Sequence, residues 1–136
     1  MSMNRNGNRA WIWLVWIVLA HLVISFVHGF AHAQAQVPLS LAANLFVYIV
    51  ILAGPLVGLL LAWKVRGIGS AVIALAMAGS LVFGLVNHFM LSSPDHVAHV
   101  APQWRTLFAA TAALLALTEA LGSGLAIRVI RERKAS

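Results

Sequence analysis

Four long apolar stretches dominate the sequence and restrict the folds open to it. They cover about residues 10–30, 39–63, 68–91 and 103–127. A helix needs roughly 20 mostly apolar residues to cross about 30 Å of hydrocarbon. Backbone groups in lipid must be satisfied internally, and these runs are too long for the strands of a membrane barrel. We therefore predict an all-α integral membrane protein, a four-transmembrane-helix up-down bundle.

Composition supports lipid as the solvent of this chain. Hydrophobic residues make up 62% of the 136 residues and charged residues only 9%. A water-soluble domain of this size could not bury so much apolar surface. The spans use nearly the whole sequence, so a single transmembrane domain over residues 1–136 is predicted. The chain has no cysteine, which excludes disulfides and thiolate metal sites.

Basic residues flank the predicted spans and indicate their orientation. Eight of the nine Lys and Arg residues lie in the N-terminus, the second loop and the C-terminal tail, and the other loops hold only Arg105. The positive-inside rule then places both termini in the cytoplasm, in a plasma or bacterial inner membrane. The net charge of +6 is explained without nucleic acid. The predicted partners are membrane lipid and, through small-residue contacts, a homo-oligomer or a larger membrane complex.

The first stretch also has features of a signal peptide. Arg5 and Arg9, an apolar core and the small residues of 31–35 are typical of a signal peptide and its cleavage site. However, the apolar stretch is longer than a usual signal core, and two histidines interrupt its outer half. We therefore expect an uncleaved first helix.

Histidines form a polar stripe on the first predicted helix. At 100° per residue, His21, His28 and His32 lie within about 40° of one another, with Ser25 on the same stripe. Polar side chains at membrane depth are costly, so this stripe should face the bundle interior. His28 and His32, one turn apart, can bind a single metal ion from one side.

The predicted topology brings five of the six histidines to the outer membrane face. Imidazole together with a carboxylate suits zinc, copper, iron or nickel. The sequence therefore predicts an outward-facing transition-metal site, for metal handling or metal-assisted redox chemistry. Its candidate ligands are His28, His32 and His88, completed by Asp95, His96 or His99.

Two other functions are compatible with the same histidines. His28 and His88 both lie roughly 27 to 29 Å from the cytoplasmic side, so they could be the axial ligands of a b-type haem. The outer side offers the haem propionates only Arg105.

The chain could also be a non-catalytic subunit or scaffold, in which His88 bonds Asn87 or Asn44. No nucleophile motif or phosphate-binding loop indicates catalytic residues.

Glu119 is the only acidic residue inside a predicted span. Its depth is within about a turn of that of His21, near the membrane midplane. An unpaired carboxylate there would be costly, so a pair with His21 or a protonated Glu119 is predicted. Such a pair would either fix the helix register or carry a proton or ion inward from the outer histidines.

Overall fold

The computed structural model describes residues 5–134, and that range is helical with no strand. Its four long helices are α1 (Arg5–Gln34), α2 (Leu41–Lys64), α3 (Arg66–Met90) and α4 (Pro102–Lys134). Each is long and apolar enough to cross a membrane, which confirms the predicted all-α class with four such helices. Residues 1–4 and 135–136 of the predicted domain lie outside the described range.

The helices do not end where the apolar stretches end, and α1 extends beyond both limits of 10–30. α2 begins at Leu41 and not at 39, because the Ser40 hydroxyl accepts a hydrogen bond of 3.1 Å from the Ala43 N–H. This is an N-cap, which satisfies one of the free N–H groups at a helix start. α4 continues through the basic tail to Lys134. A helix is therefore not obliged to end where its apolar residues end.

The central helix of the bundle is α4, which packs along both α1 and α3, while α3 also packs along α2. Near the N-terminal end of α1, one apolar cluster joins three helices: Ala10, Leu14, Val18, Leu22, Ile73, Met77, Ala126 and Val129. Small residues bring α2 and α3 close together. A β-carbon on Gly69 would collide with the backbone of Gly58 and Ala62. The two helices thus touch backbone to backbone, as small residues permit in membrane bundles.

Many large apolar side chains are exposed, while the interior holds polar residues beside its apolar clusters. Large apolar side chains point outward, with Trp63 83% and Phe26 70% exposed. The interior holds the polar residues His21, His28, Ser70, Ser80, His88, Asp95, Thr111, Thr118 and Glu119. Lipid tails are as apolar as leucine, so a bundle in lipid has no need to hide apolar side chains and must partner its polar ones. This is the distribution expected for helices surrounded by lipid.

Two π-helical stretches interrupt the regular helices, at Val47–Ala53 in α2 and Val86–Met90 in α3. Pro55 follows the first and lacks the N–H that would bond the carbonyl of Ile51. The Nε2 of His21 lies 3.1 Å from that carbonyl oxygen and supplies a donor. The second stretch contains His88, and such stretches are frequent at functional sites.

Candidate metal centre

A cavity of about 620 Å³ lies among the four helices. It extends from Gln36 and Val37 in the first loop, past His28 and His88, to Glu119. Most of its other lining residues are apolar. A largely apolar cavity with a few convergent polar groups is the usual form of a small-ligand site.

Three imidazoles from two helices meet in this cavity. One ring nitrogen from each of His28, His32 and His88 lies within 4.8 Å of the other two. His28 Nε2 and His88 Nε2 are 3.2 Å apart. Two nitrogens bound to one tetrahedral ion at about 2.0–2.1 Å stand about 3.3–3.4 Å from each other. The His28–His88 pair therefore has nearly the spacing that a shared ion requires. We call these three side chains the histidine cluster.

The loop after α3 fixes the orientation of the His88 ring. The Val97 N–H donates to the His88 carbonyl at 3.0 Å, so the loop folds back over the helix end. This brings the Asp95 carbonyl to 3.1 Å from His88 Nδ1. A carbonyl can only accept, so His88 Nδ1 carries a proton. Neutral His88 then presents an unprotonated Nε2 to His28.

Thr111 on α4 is the partner of the His28 ring. Its Oγ1 lies 2.8 Å from His28 Nδ1 and 2.7 Å from the Leu107 carbonyl oxygen. The hydroxyl can donate to Leu107 and accept from His28 Nδ1, which leaves Nε2 free to bind a metal ion. Alternatively, it can donate to Nδ1, and His28 Nε2 then carries a proton toward His88. Thr111 thus accommodates both tautomers of His28.

The Asp95 carboxylate lies beside two of the three imidazoles. Its Oδ1 is 3.2 Å from both His32 Nε2 and His88 Nδ1, although neither contact has the alignment of a hydrogen bond. Asp95 is therefore next to the histidine cluster on the His88 Nδ1 side. Metal-binding imidazoles are commonly oriented by such a carboxylate, and its negative charge favours a cation nearby.

Phe108 of α4 closes one side of the histidine cluster. Its fully buried ring has its centroid 4.7 Å from those of His28 and His32 and 5.2 Å from that of His88. An apolar wall of this kind limits the access of water to the imidazoles. It also controls the local polarity that tunes a metal site.

Two of the candidate ligands are not brought into the histidine cluster. The rings of His96 and His99 pack against each other with centroids 5.4 Å apart. His99 Nδ1 donates to the Ser93 carbonyl at 2.7 Å, and His96 Nδ1 accepts from the Ala98 N–H at 3.1 Å. These contacts stabilise the turns of the third loop. Among the described residues, the group of three possible ligands within 4.8 Å of one another consists of His28, His32 and His88, without His96 or His99.

The amide side chains considered as partners of His88 bond backbone carbonyls. Asn87 Nδ2 donates to Phe83 at 2.8 Å, and Asn44 Nδ2 donates to Leu39 at 3.3 Å. The observed partners of His88 are instead the Asp95 carbonyl and the His28 ring. The histidines therefore bond one another and do not depend on these amides.

The arrangement does not fit a haem held by His28 and His88. Two axial imidazoles need about 4 Å between their nitrogens, since each metal–nitrogen bond is about 2.0 Å. The observed 3.2 Å is shorter, and the rings meet edge to face at 75° with no gap for a macrocycle. Arg105, the candidate partner of the propionates, donates from Nε to the Val100 carbonyl at 3.2 Å.

His21 and Glu119 approach each other in the interior, as their depths predict. His21 Nδ1 lies 3.8 Å from Glu119 Oε1, and the two residues are 0% and 2% exposed. His21 Nε2 donates to the Ile51 carbonyl, so a neutral His21 has an unprotonated Nδ1 on the side of Glu119. The pair sits beside the inner end of the cavity, which Glu119 lines.

Sequence reasoning did not identify Thr111 and Phe108. Threonine in an apolar helix usually bonds only its own backbone, and phenylalanine usually only packs. One signal was present: Phe108 precedes Glu119 by about three helical turns and therefore shares its face.

Comparisons with known proteins do not place this chain in a family. No protein-family model, no curated protein and no solved structure matches it. A functional conclusion therefore depends on the geometry of the histidine cluster and of the cavity around it.

Proposed function

We propose that this chain is an integral membrane protein that binds one transition-metal ion through His28, His32 and His88. The observation that carries the proposal is the meeting of three imidazole nitrogens within 4.8 Å in a cavity. The His28 and His88 nitrogens have the spacing of ligands on one ion. Their other ring nitrogens bond Thr111 and the Asp95 carbonyl, which is the usual outer arrangement of metal-binding histidines.

Zinc is the ion with which we propose to test this ligand set, because three histidines with an open fourth position are an established zinc arrangement. Imidazole suits zinc, copper, iron and nickel, and the chain offers no thiolate that would favour a softer ion. His28, His32 and His88 would leave a fourth position for water or substrate, and an ion held by them would supply Lewis-acid chemistry at an oxygen atom. The residues around it supply an apolar wall, Phe108, and a nearby carboxylate, Asp95. The role we assign is metal handling or metal-assisted chemistry at the membrane.

The proposal is tested on purified wild-type protein in lipid nanodiscs. After equilibration with Zn²⁺ and removal of free metal, we expect about one zinc per chain by elemental analysis, and cobalt substitution should give the visible bands of a tetrahedral site. A Soret band that shifts on reduction would instead identify a haem protein. Protein that carries neither metal nor haem under these conditions would contradict the proposal.

A second candidate is a non-catalytic membrane subunit whose histidines only pack. The observation in its favour is that 3.2 Å between His28 Nε2 and His88 Nε2 is also the length of an N–H···N hydrogen bond. Thr111 could then donate to His28 and complete the network without a metal ion. This candidate predicts no stoichiometric metal in the same zinc measurement.

We further propose that both termini lie in the cytoplasm, on the side of the basic residues. The absence of native cysteine makes a labelling test direct. Ser92→Cys in the exposed third loop should react with an impermeant maleimide on intact cells, because that loop would face outward. Val65→Cys, in the exposed turn between α2 and α3, is the matched control and should react only after the membrane is opened. The reverse pattern would contradict this orientation.

A further inference from the structure

Glu119 shares the cavity with the histidine cluster and lies close to it. A β-carbon at Gly84 would be 3.9 Å from His88 Cδ2 and 4.0 Å from Glu119 Oε2. Both side chains therefore border the same small gap on the face of α3. No larger side chain separates the carboxyl group from the imidazole at this point.

Glu119 faces His21 without a hydrogen bond to it: Glu119 Oε1 and His21 Nδ1 are 3.8 Å apart, and His21 Nδ1 has no hydrogen-bond partner among the described residues. A neutral His21 presents a lone pair at Nδ1, because its Nε2 donates to the Ile51 carbonyl. A carboxylate facing that lone pair across 3.8 Å would be repelled by it and would also be a buried, uncompensated negative charge. A carboxylic acid avoids both penalties. The metal-free geometry is thus that of a protonated Glu119 beside a neutral His21.

A cation bound by the histidine cluster would favour the carboxylate form of Glu119 over the carboxylic acid. Glu119 Oε2 and His88 Cδ2 are at most about 8 Å apart, and charges at such a separation interact appreciably in a protein interior, so a divalent ion bound to His88 would stabilise a carboxylate at Glu119. We propose that Glu119 holds one exchangeable proton and that a divalent cation bound by His28, His32 and His88 displaces it. This inference rests on the proposed metal-binding function. The O–H bond of the Glu119 carboxyl breaks, its electron pair stays on the carboxylate, and the proton leaves for water through the cavity.

The other titratable groups around Glu119 do not supply the positive charge that a bound cation would supply. His21 of α1 lies beside it, and the remaining groups that line the cavity are His28, His32, Tyr48, His88 and Asp95. The three cluster histidines bind the ion and must be unprotonated to do so. Asp95 is adjacent to two of them, His32 and His88.

The test counts the protons released when Zn²⁺ binds the full chain in nanodiscs. Calorimetric titrations in two buffers of different protonation enthalpy give that number. We expect wild type to release about one proton more per Zn²⁺ than Glu119→Gln, whose amide has nearly the same size but no carboxyl proton to release. For each unit by which the pH increases, the Zn²⁺ affinity of wild type should therefore increase about tenfold more than that of Glu119→Gln. Thr118→Val removes a neighbouring hydroxyl outside the cavity lining and should release as many protons as wild type.

Infrared spectroscopy of wild type provides a measurement that needs no variant. Addition of Zn²⁺ should remove one protonated-carboxyl band. Zinc binding with that band unchanged, or with equal proton counts in wild type and Glu119→Gln, would overturn the inference and leave the metal site standing. Failure of wild type to bind zinc would overturn both.

Discussion

Replacing His88 with alanine should weaken Zn²⁺ binding by at least about 100-fold. Loss of a residue that only orients a metal ligand already costs roughly 10–100-fold in affinity, and His88 is proposed to be a ligand itself. Its Nε2 lies 3.2 Å from that of His28, so its removal leaves only ligands from a single helix turn. The affinity is measured by competition with a zinc chelator in nanodiscs. Cobalt-substituted protein should lose its tetrahedral bands in parallel.

Two further variants separate ligand loss from damage to the fold. His88→Gln keeps a polar side chain toward the Asp95 carbonyl but lacks the imidazole, and we expect the same loss of affinity with helical circular dichroism unchanged. His96→Ala removes a histidine that packs on His99 outside the histidine cluster, and it should bind zinc as wild type does. Retention of wild-type affinity in His88→Ala would refute the proposed ligand set.

The fold was largely predictable because lipid imposes a simple rule on sequence. Each apolar stretch is too long for a strand of a membrane barrel, so a helix is the remaining structure that satisfies its backbone in hydrocarbon. The helical period also placed His28 and His32 on one face. The rise per residue placed His28 and His88 at the same depth, and the structure puts their Nε2 atoms 3.2 Å apart. Periodicity and rise per residue are properties of single helices, so they can be derived without tertiary structure.

What the sequence did not predict depends on the fold of loops and on hydrogen bonding between helices. Asp95, His96 and His99 are close in sequence, yet only Asp95 contacts the histidine cluster. The outcome is decided by the turn that brings the Val97 N–H to the His88 carbonyl, and such a contact has no periodic signature. The role of Thr111 depends likewise on which helix lies opposite His28. Neither contact could be derived from spacing along the chain.

The Glu119 proton and the metal ion would make this cavity a site where two cations compete. Glu119, His28 and His88 all line it, and the first loop borders its other end. A bundle in lipid tolerates such charges only when they are partnered. If the proposed site binds a metal ion, the binding of that ion should therefore be coupled to the loss of the Glu119 proton.

Thr111→Val should weaken Zn²⁺ binding about 10–100-fold, although Thr111 is not a ligand. In the metal-bound protein, His28 must donate from Nδ1 so that Nε2 is free for the ion. The acceptor of that proton is Thr111 Oγ1, at 2.8 Å, which in turn donates to the Leu107 carbonyl. Valine has the same shape but offers no acceptor. The buried Nδ1–H is then left without a partner whenever the metal is bound.

Thr118→Val is the matched control for the cost of removing a hydroxyl from α4. The Thr118 hydroxyl donates to the Leu114 and Leu115 carbonyls at 3.0 Å, in the same manner as Thr111, but contacts no histidine. Thr118→Val should leave the zinc affinity unchanged. Thr111→Ser should bind zinc with nearly the wild-type affinity, because serine retains the hydroxyl. The ¹⁵N shifts of His28 report its tautomer directly: zinc should move the proton from Nε2 to Nδ1 in wild type. Equal zinc affinities for Thr111→Val and Thr118→Val would show that the Thr111 hydroxyl does not control the His28 tautomer.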